Sequence, residues 1–194
     1  DSAQLKAVLD VISDEDYFTA EIRDVLLQKE NLIVDAPSAD AVVSFFWKFS
    51  RFEWKRVPLR TAKVRDLIID VVAPKISAGD PVENIGWAIR NISDEDKPAA
   101  ELYSNRKSFF AILDCFHRAT TANSARWILS SVYHICDDNP GANKILNDLP
   151  VVEAYSAIIP YATTTECVLW ISYAISKILE NNERAQQLFG TLTF

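Results

Sequence analysis

Residues 84–92 read NIGWAIRNI, and the frame around their tryptophan recurs in three other parts of the chain. The further copies are SFFWKFSRF (44–52), SARWILSSV (124–132) and CVLWISYAI (167–175). The four tryptophans follow one another at 40, 40 and 43 residues, and each lies among apolar residues at helical spacing. A period in this range predicts a chain built of repeated helical units.

Helix-start signals accompany these segments. Asp80 followed by Pro81 is typical of an N-cap with proline at the first helical position. The caps that we expect for the other three tryptophan helices are, in chain order, Ser38 or Asp40, Thr121 or Asn123, and Thr164 or Thr165. We therefore predict that each tryptophan lies about two turns inside its helix.

The repeat extends beyond the tryptophans. Asn139 and Asn182 each follow a tryptophan by twelve residues and open similar polar segments. Between them, Pro150 begins an apolar stretch that predicts a helix of its own. Each unit is thus expected to contain a short, a medium and a long tryptophan-bearing helix in about 42 residues.

The first part of the chain fits the repeat less well and predicts a capping pair of helices. Ala3–Ile12 reads as one helix, and Ser13 with Asp16 resembles the capping box of a second helix that runs to Ile33. We expect one domain over residues 1–194, with the cap in 1–37 and the repeats in 38–194. The chain contains no methionine, so we expect it to be a processed or trimmed piece of a longer product.

Composition agrees with a helical protein. Only 4 glycines and 8 prolines occur, too few for the many turns of a β-sandwich or barrel. The formal charge of -7 disfavours nucleic acid as the main partner, because phosphate backbones attract basic surfaces. Residues 48–65 are an exception with seven basic side chains and one acid, which predicts either a solvated helix face or a contact with a protein or an anionic surface.

The cysteines and histidines give no sign of catalysis. Cys115, Cys136 and Cys167 each lie in an apolar helical pattern, which favours buried reduced thiols in the cytoplasm, although a nuclear location fits as well. His117 and His134 are each two residues from a cysteine, and such residues point in opposite directions on a helix. We therefore expect a protein that is not an enzyme and that holds no metal or cofactor. No apolar run approaches the roughly 18 residues of a membrane span.

Residues 87–93, WAIRNIS, resemble the third-helix signature of armadillo repeats, in which an asparagine follows the tryptophan by four residues. The resemblance implies an all-α fold, a right-handed α-α superhelix: an armadillo-like solenoid of about four three-helix repeats with an N-terminal helical cap. In the importin-α branch of that family, the asparagines bind the backbone of an extended peptide and the tryptophans flank its side chains. Arg51, Ser131 and Ala174 occupy three of the four asparagine positions here, so the resemblance implies groove binding in general and not nuclear import.

The groove that the resemblance implies is lined by ten residues. We expect tryptophan walls, hydrogen bonds from Asn91 and Ser131 to a bound backbone, and selection of charge by Glu83 and Glu166. The full set is Trp47, Arg51, Glu83, Trp87, Asn91, Asn123, Trp127, Ser131, Glu166 and Trp170. The alternative is that all four tryptophans belong to the core between repeats.

The implied function is a scaffold that binds a protein or an extended peptide along this groove. The alternative is a structural subunit of a larger assembly or a homodimer that packs through its end or convex surfaces. Self-association through the C-terminal end, where residues 182–191 open a further unit, belongs to this alternative.

Six aromatic residues fall within residues 45–54 and divide into two helix faces. One face is expected to pack on neighbouring helices. The other either packs on the N-terminal cap or is exposed beside Arg51, as an anchor for an interface.

Overall fold

The computed structural model describes residues 4, 5, 7–9, 20–180 and 183–190. Every regular element in these residues is helical, which confirms the predicted all-α class. No helix within them is both long and apolar enough to cross a membrane.

Twelve α-helices make up most of the described chain. They are α1 Ala20–Gln28, α2 Ala36–Ser50, α3 Glu53–Arg56, α4 Ala62–Asp66, α5 Asp80–Ser93, α6 Lys97–Tyr103, α7 Arg106–Phe116, α8 Ala122–Cys136, α9 Pro140–Leu146, α10 Val151–Ile158, α11 Thr165–Leu179 and α12 Glu183–Gly190. Short 3-10 helices occupy Glu30–Leu32, Val57–Leu59 and Ile159–Tyr161, and α4 continues as a π-helix over Leu67–Val72.

The helices recur in a fixed order of lengths. α6, α7 and α8 have 7, 11 and 15 residues, and α9, α10 and α11 have 7, 8 and 15. The predicted order of a short, a medium and a long helix is therefore present twice in full. The short α3, the combined α4 and π-helix, and the long α5 form an earlier unit with the same order.

The turn that follows a long helix has the same geometry in successive units. Asp94 and Asp137 end α5 and α8 with the same φ of -64° and ψ of 126°. The next residues, Glu95 and Asp138, adopt left-handed φ values of 54° and 49°. The residue that follows each of them caps the next short helix, because its side-chain oxygen accepts a hydrogen bond from a backbone N–H group of the first turn. Because the dihedral angles match, the chain reverses direction in the same way after each of these two long helices.

Two of the predicted N-caps are confirmed. The hydroxyl oxygens of Thr121 and Thr164 accept hydrogen bonds from the backbone N–H groups of Ser124 and Cys167, at 3.0 and 3.2 Å. These bonds satisfy donors that the first turn of a helix leaves without a partner.

The predicted starts of the other two tryptophan helices need correction. α5 has Gly79 as its N-cap, one residue before the predicted cap. Asp35, and not Ser38 or Asp40, caps α2, because its carboxylate accepts the backbone N–H of Ser38 in a capping box. Trp47 therefore lies about three turns inside α2 and not two.

The N-terminal region is helical where the structure describes it, but its helix before α2 ends earlier than predicted. Residues 4, 5 and 7–9 are helical, as predicted for this stretch. α1 ends at Gln28 and a 3-10 helix follows, so the helix expected to reach Ile33 stops earlier. α2 begins at Ala36, and the predicted boundary between cap and repeats falls in its first turn. Three predicted landmarks lie outside the described residues, namely Ser13, Asp16 and Asn182.

The four tryptophan-bearing helices pack against one another in chain order. α2 packs on α5, α5 on α8, and α8 on α11. Their inward faces are apolar and fully buried, as Phe45 on α2, Ile89 on α5 and Ile128 on α8 illustrate. The four tryptophans therefore lie on successive helices that pack against one another.

The most extensive of these contacts depends on a glycine. A Cβ atom at Gly86 on α5 would lie 2.6 Å from the backbone nitrogen of Ile128 and 2.6 Å from the carbonyl carbon of Trp127, both on α8. These atoms belong to the helix backbone and cannot move aside as a flexible side chain could. Only glycine allows α5 and α8 to approach this closely.

Substitution Gly86→Ala should therefore destabilise the protein. Because the added methyl group meets backbone, we expect the free energy of unfolding to fall by about 2 kcal/mol or more. Urea denaturation followed by circular dichroism measures this change as a lower midpoint.

Gly141→Ala is the matched control. Gly141 lies in the exposed first turn of α9, where the nearest atom to a new Cβ, Oδ1 of Asn139, is 3.5 Å away. We expect a change within about 1 kcal/mol at this site. Equal effects of the two substitutions would show that α5 and α8 do not approach closely at Gly86.

Candidate interaction surface

Three tryptophans from successive long helices touch one another in series, and we name this series the tryptophan ladder (Trp47, Trp87 and Trp127). The ring centroids of Trp47 and Trp87 are 6.3 Å apart at an interplanar angle of 87°. Those of Trp87 and Trp127 are 3.8 Å apart at 36°. All three side chains are half-buried, so each ring packs on its neighbour and keeps part of its area exposed.

The ladder crosses the helices obliquely. The long helices end at Ser50, Ser93, Cys136 and Leu179, each 43 residues after the previous one. The ladder tryptophans are 40 residues apart, so each lies three residues farther from the end of its helix than the one before. Three residues are nearly one helical turn. Counted from the helix start, Trp47 is the twelfth residue, Trp87 the eighth and Trp127 the sixth, so the predicted depth of about two turns fits Trp87 and not Trp47. The ladder is therefore a diagonal row.

Trp170 belongs to a second group of rings, which we name the aromatic end cluster (Tyr133, His134, Trp170 and Tyr173). Its ring centroid lies 5.7 Å from that of Tyr133, 5.9 Å from that of His134 and 5.8 Å from that of Tyr173. Trp170 is half-buried, and Tyr173 is 48% exposed. Within the described part of the chain, no ring contact joins Trp170 to the ladder. Trp170 follows Trp127 by 43 residues and not by 40, so it does not continue the diagonal row of the ladder.

The two polar residues expected to bind a peptide backbone are buried. Asn91 donates from Nδ2 to Oγ of Ser50 at 3.3 Å and accepts from Arg90 at 2.8 Å. Ser131 donates to the carbonyl of Ile128 at 2.7 Å. Both side chains thus make their hydrogen bonds inside the protein, and Asn91 fastens α5 to α2. Neither presents a free hydrogen-bonding group at the surface.

Two arginines lie over ladder rings. The guanidinium carbon of Arg51 is 5.3 Å from the centroid of the Trp47 ring, and that of Arg126 is 4.5 Å from the centroid of the Trp127 ring. Arg51 is exposed, whereas Arg126 forms an ion pair with the exposed Glu166 of α11. Such cation–π contacts hold flat side chains against the indole faces.

The remaining predicted groove residues differ in exposure. Asn123 at the start of α8 is exposed. Glu83 on α5 is half-buried, and burial raises the pKa of its carboxyl group, with a smaller contribution from the negative charge of Asp80. The ten predicted residues therefore comprise four half-buried rings, a half-buried acid, three exposed polar or charged groups, and two that are internal.

A polar cluster that the sequence pattern does not reveal surrounds Asp94 and adjoins the aromatic end cluster through His134. The Asp94 carboxylate lies 3.0 Å from Arg90 and 3.7 Å from Arg56. Its other oxygen is 3.3 Å from Nδ1 of His134. These groups come from three separate segments of the chain, so the cluster ties α3, α5 and α8 together at one end of the long helices.

His134 fits this cluster as a neutral imidazole. Nε of Arg90 donates to Nε2 of His134 at 3.2 Å, which requires a lone pair on Nε2. Nδ1 then carries the proton and lies 3.3 Å from Oδ1 of Asp94. Burial, reinforced by the positive charge of Arg90, lowers the pKa of His134 to about 4, although Asp94 acts in the opposite direction.

In each cysteine–histidine pair the two side chains have different surroundings. Cys115 is buried and His117 is exposed. Cys136 is buried, while His134 faces the Asp94 cluster. Burial raises the pKa of the Cys115 thiol to about 12 and also raises that of Cys136. Both thiols are therefore held in their protonated, weakly nucleophilic form.

A signal for the aromatic end cluster is present in the sequence. When the long helices are aligned on their last residues, which are 43 residues apart, Tyr173 of α11 aligns with Trp87 of α5. In the same alignment, Tyr133 of α8 aligns with Arg90 of α5. Alignment on the tryptophans alone hides this correspondence, since it imposes a 40-residue register. The Asp94 cluster has no comparable signal, because its members come from three unlike positions.

Comparisons of this chain with models of protein families, with curated proteins and with solved structures found no match.

The neutral state of His134 predicts a pH-dependent contribution to stability. The unfolded chain takes up a proton at the ordinary histidine pKa of 6.5, whereas the folded chain takes it up only near 4. Stability from His134 should therefore be present above pH 6.5 and be lost as pH falls toward 4. By linkage the loss is up to about 3 kcal/mol.

Unfolding free energies of the wild type and of His134→Gln, measured between pH 7.5 and 4.5, test this prediction. Glutamine keeps one donor and one acceptor but does not titrate in this range. We expect the wild type to lose more stability than the variant as pH falls. Parallel pH profiles would contradict a neutral, buried His134.

Proposed function

We propose that this chain is an armadillo-type superhelix of three-helix units behind an N-terminal cap. Three observations support the proposal: the order of short, medium and long helices, the 43-residue spacing of the long-helix ends, and the serial packing of α2, α5, α8 and α11. In such a stack each unit buries its apolar face on the next. The long helices then form one continuous wall.

We further propose that the protein is a non-enzymatic interaction scaffold that binds a protein or an extended peptide on this wall. The observation that carries the proposal is the partial exposure of the tryptophan ladder. Three rings held against one another lose little conformational freedom on binding, and tryptophan is enriched among residues that dominate interface energies. A row of partly exposed tryptophans is typical of an interaction surface.

The ladder favours a segment with apolar side chains at intervals. Its diagonal path over α2, α5 and α8 would carry an extended segment obliquely across the helices. Arg51 at the α2 end suits an acidic group of the partner, and Glu166 and Asn123 provide polar contacts near α8 and α11. Asn91 and Ser131 act from inside, by fastening the helices that carry the rings.

The protonated thiols of Cys115 and Cys136 support a non-catalytic function. All three cysteines are free and buried, which favours a reducing compartment, the cytoplasm or the nucleus. Nucleic acid is disfavoured as the main partner by the formal charge of -7.

A second candidate function uses the outer face of α11. Val168, Ile171, Ile175 and Leu179 line an apolar groove of about 520 Å³ there. In the 43-residue register these positions correspond to Ala125, Ile128, Val132 and Cys136 of α8, which α11 and its neighbours bury. This face therefore favours a structural subunit or homodimer that stacks through its C-terminal end, with the ladder incidental.

Peptides selected from a random library on the wild-type protein discriminate between the two functions. We expect Trp127→Ala to weaken the binding of such peptides at least about tenfold, because it removes the ladder ring whose centroid lies 3.8 Å from that of Trp87. Phe110→Ala is the matched control, since Phe110 is 44% exposed on α7 and contacts Arg106 away from the ladder. It should change affinity less than about twofold.

Circular dichroism of both variants checks that the fold is intact, and Arg126→Gln gives a second ladder variant that leaves the ring in place. Peptides that bind Trp127→Ala and Arg126→Gln as tightly as the wild type would rule out the ladder as the binding surface. Failure to select any peptide would favour the second candidate.

A further inference from the structure

A separate exposed surface lies at the junction of α2 and α3, and we name it the aromatic corner (Phe52, Trp54, Lys55 and Val57). Phe52 is 49% exposed, Trp54 59% and Val57 62%. Three large apolar side chains within six residues are thus open to solvent. Such a patch is larger than the single exposed apolar residues that are normal on a protein surface.

Lys55 lies beneath this patch, and its ammonium group is surrounded by three aromatic rings. Its Nζ atom is 4.9 Å from the centroid of Phe49, 4.6 Å from that of Phe52 and 4.8 Å from that of Trp54. The residue is only 4% exposed. Three cation–π contacts partly replace the water that the ammonium group has lost. In the described part of the chain, no carboxylate lies within ion-pair distance of it.

The positive charge extends from Lys55 onto α2. Lys48 and Arg51 precede the corner in sequence, Arg51 is exposed, and neither has an ion pair within the described residues. Arg56, by contrast, is paired with Asp94. The corner is therefore an apolar patch over the buried cation of Lys55, with the exposed Arg51 and the exposed Glu53 next to it in sequence, on a chain whose net charge is -7.

The corner is also held in place from below. Nε of Arg56 donates to the carbonyl of Ser50 at 2.8 Å, which fixes α3 against the end of α2. Phe49, the innermost ring around Lys55, is fully buried in the core. A rigid aromatic patch loses little entropy when a partner covers it.

From this arrangement we infer that the aromatic corner is a docking surface for an acidic peptide segment that carries an apolar side chain. The apolar side chain covers Phe52 and Trp54, and a carboxylate beside it is attracted by the exposed Arg51 and by the buried charge of Lys55. A short peptide experiences mainly charges within about 10 Å, so the local cations attract it. An anionic bilayer covers a wider area than a short peptide and so meets more of the surface of a chain whose net charge is -7, which disfavours a membrane as the occupant.

The test uses a synthetic pentapeptide with phenylalanine between two pairs of glutamates, and a matched peptide with glutamines in place of the glutamates. Amide chemical shifts of the ¹⁵N-labelled protein are followed on titration. We expect shifts centred on residues 51–57 with the acidic peptide, and an affinity at least about tenfold lower with the glutamine peptide.

Variants assign the two parts of the surface. Trp54→Ala removes an exposed ring, and Lys55→Met keeps an unbranched side chain without the charge. Each should lower the affinity for the acidic peptide at least about tenfold, while Phe110→Ala should leave it within about twofold. Trp127→Ala should also leave it unchanged, because the corner does not depend on the tryptophan ladder.

Three results would overturn the inference: no shifts with the acidic peptide, equal binding of the glutamine peptide, or full affinity in both corner variants. Co-sedimentation with phosphatidylserine-containing vesicles that is lost in Trp54→Ala, without peptide binding, would assign the corner to a membrane and would also overturn it.

Discussion

The close approach of α5 and α8 at Gly86 is the constraint on which the candidate surface depends. A side chain at this position would meet backbone atoms of Trp127 and Ile128 at 2.6 Å. The same approach brings the ring centroids of Trp87 and Trp127 to 3.8 Å, the closest ring contact in the ladder. Separation of these helices would part the two rings and open the row between α2 and α8. The glycine thus links backbone packing to the shape of the surface.

Much of the helical organisation could be predicted from the sequence because the signals are local. Polar residues before the apolar runs narrowed the caps of α8 and α11 to two candidates each, of which Thr121 and Thr164 are the caps, and apolar spacing located the long helices. The start of α2 was harder to place, since Asp35 and Ser38 cooperate in one capping box and Ser38 alone suggests a later start. The register of the units was misjudged, because the tryptophans repeat at 40 residues and the helix ends at 43.

The candidate site could be predicted less well, because it depends on contacts between distant residues. The four tryptophans were identified, but only packing shows that three of them touch and that all remain half-exposed. Asn91 was expected at the surface, and its hydrogen bond to Ser50, 41 residues away, places it inside. His134 and Arg90 meet across 44 residues, and no spacing rule on one helix finds such a pair.

Whether the ladder tryptophans touch and are partly exposed is tested by ¹⁹F NMR of protein labelled with 5-fluorotryptophan. The five resonances are assigned by single Trp→Phe substitutions, and the change of each shift between H₂O and D₂O reports exposure of the ring. We predict the largest solvent shift for Trp54 and intermediate values for Trp47, Trp87 and Trp127, with Trp127→Phe moving the resonance of Trp87. Ladder resonances without any solvent shift, or a Trp87 resonance indifferent to the loss of Trp127, would contradict the account.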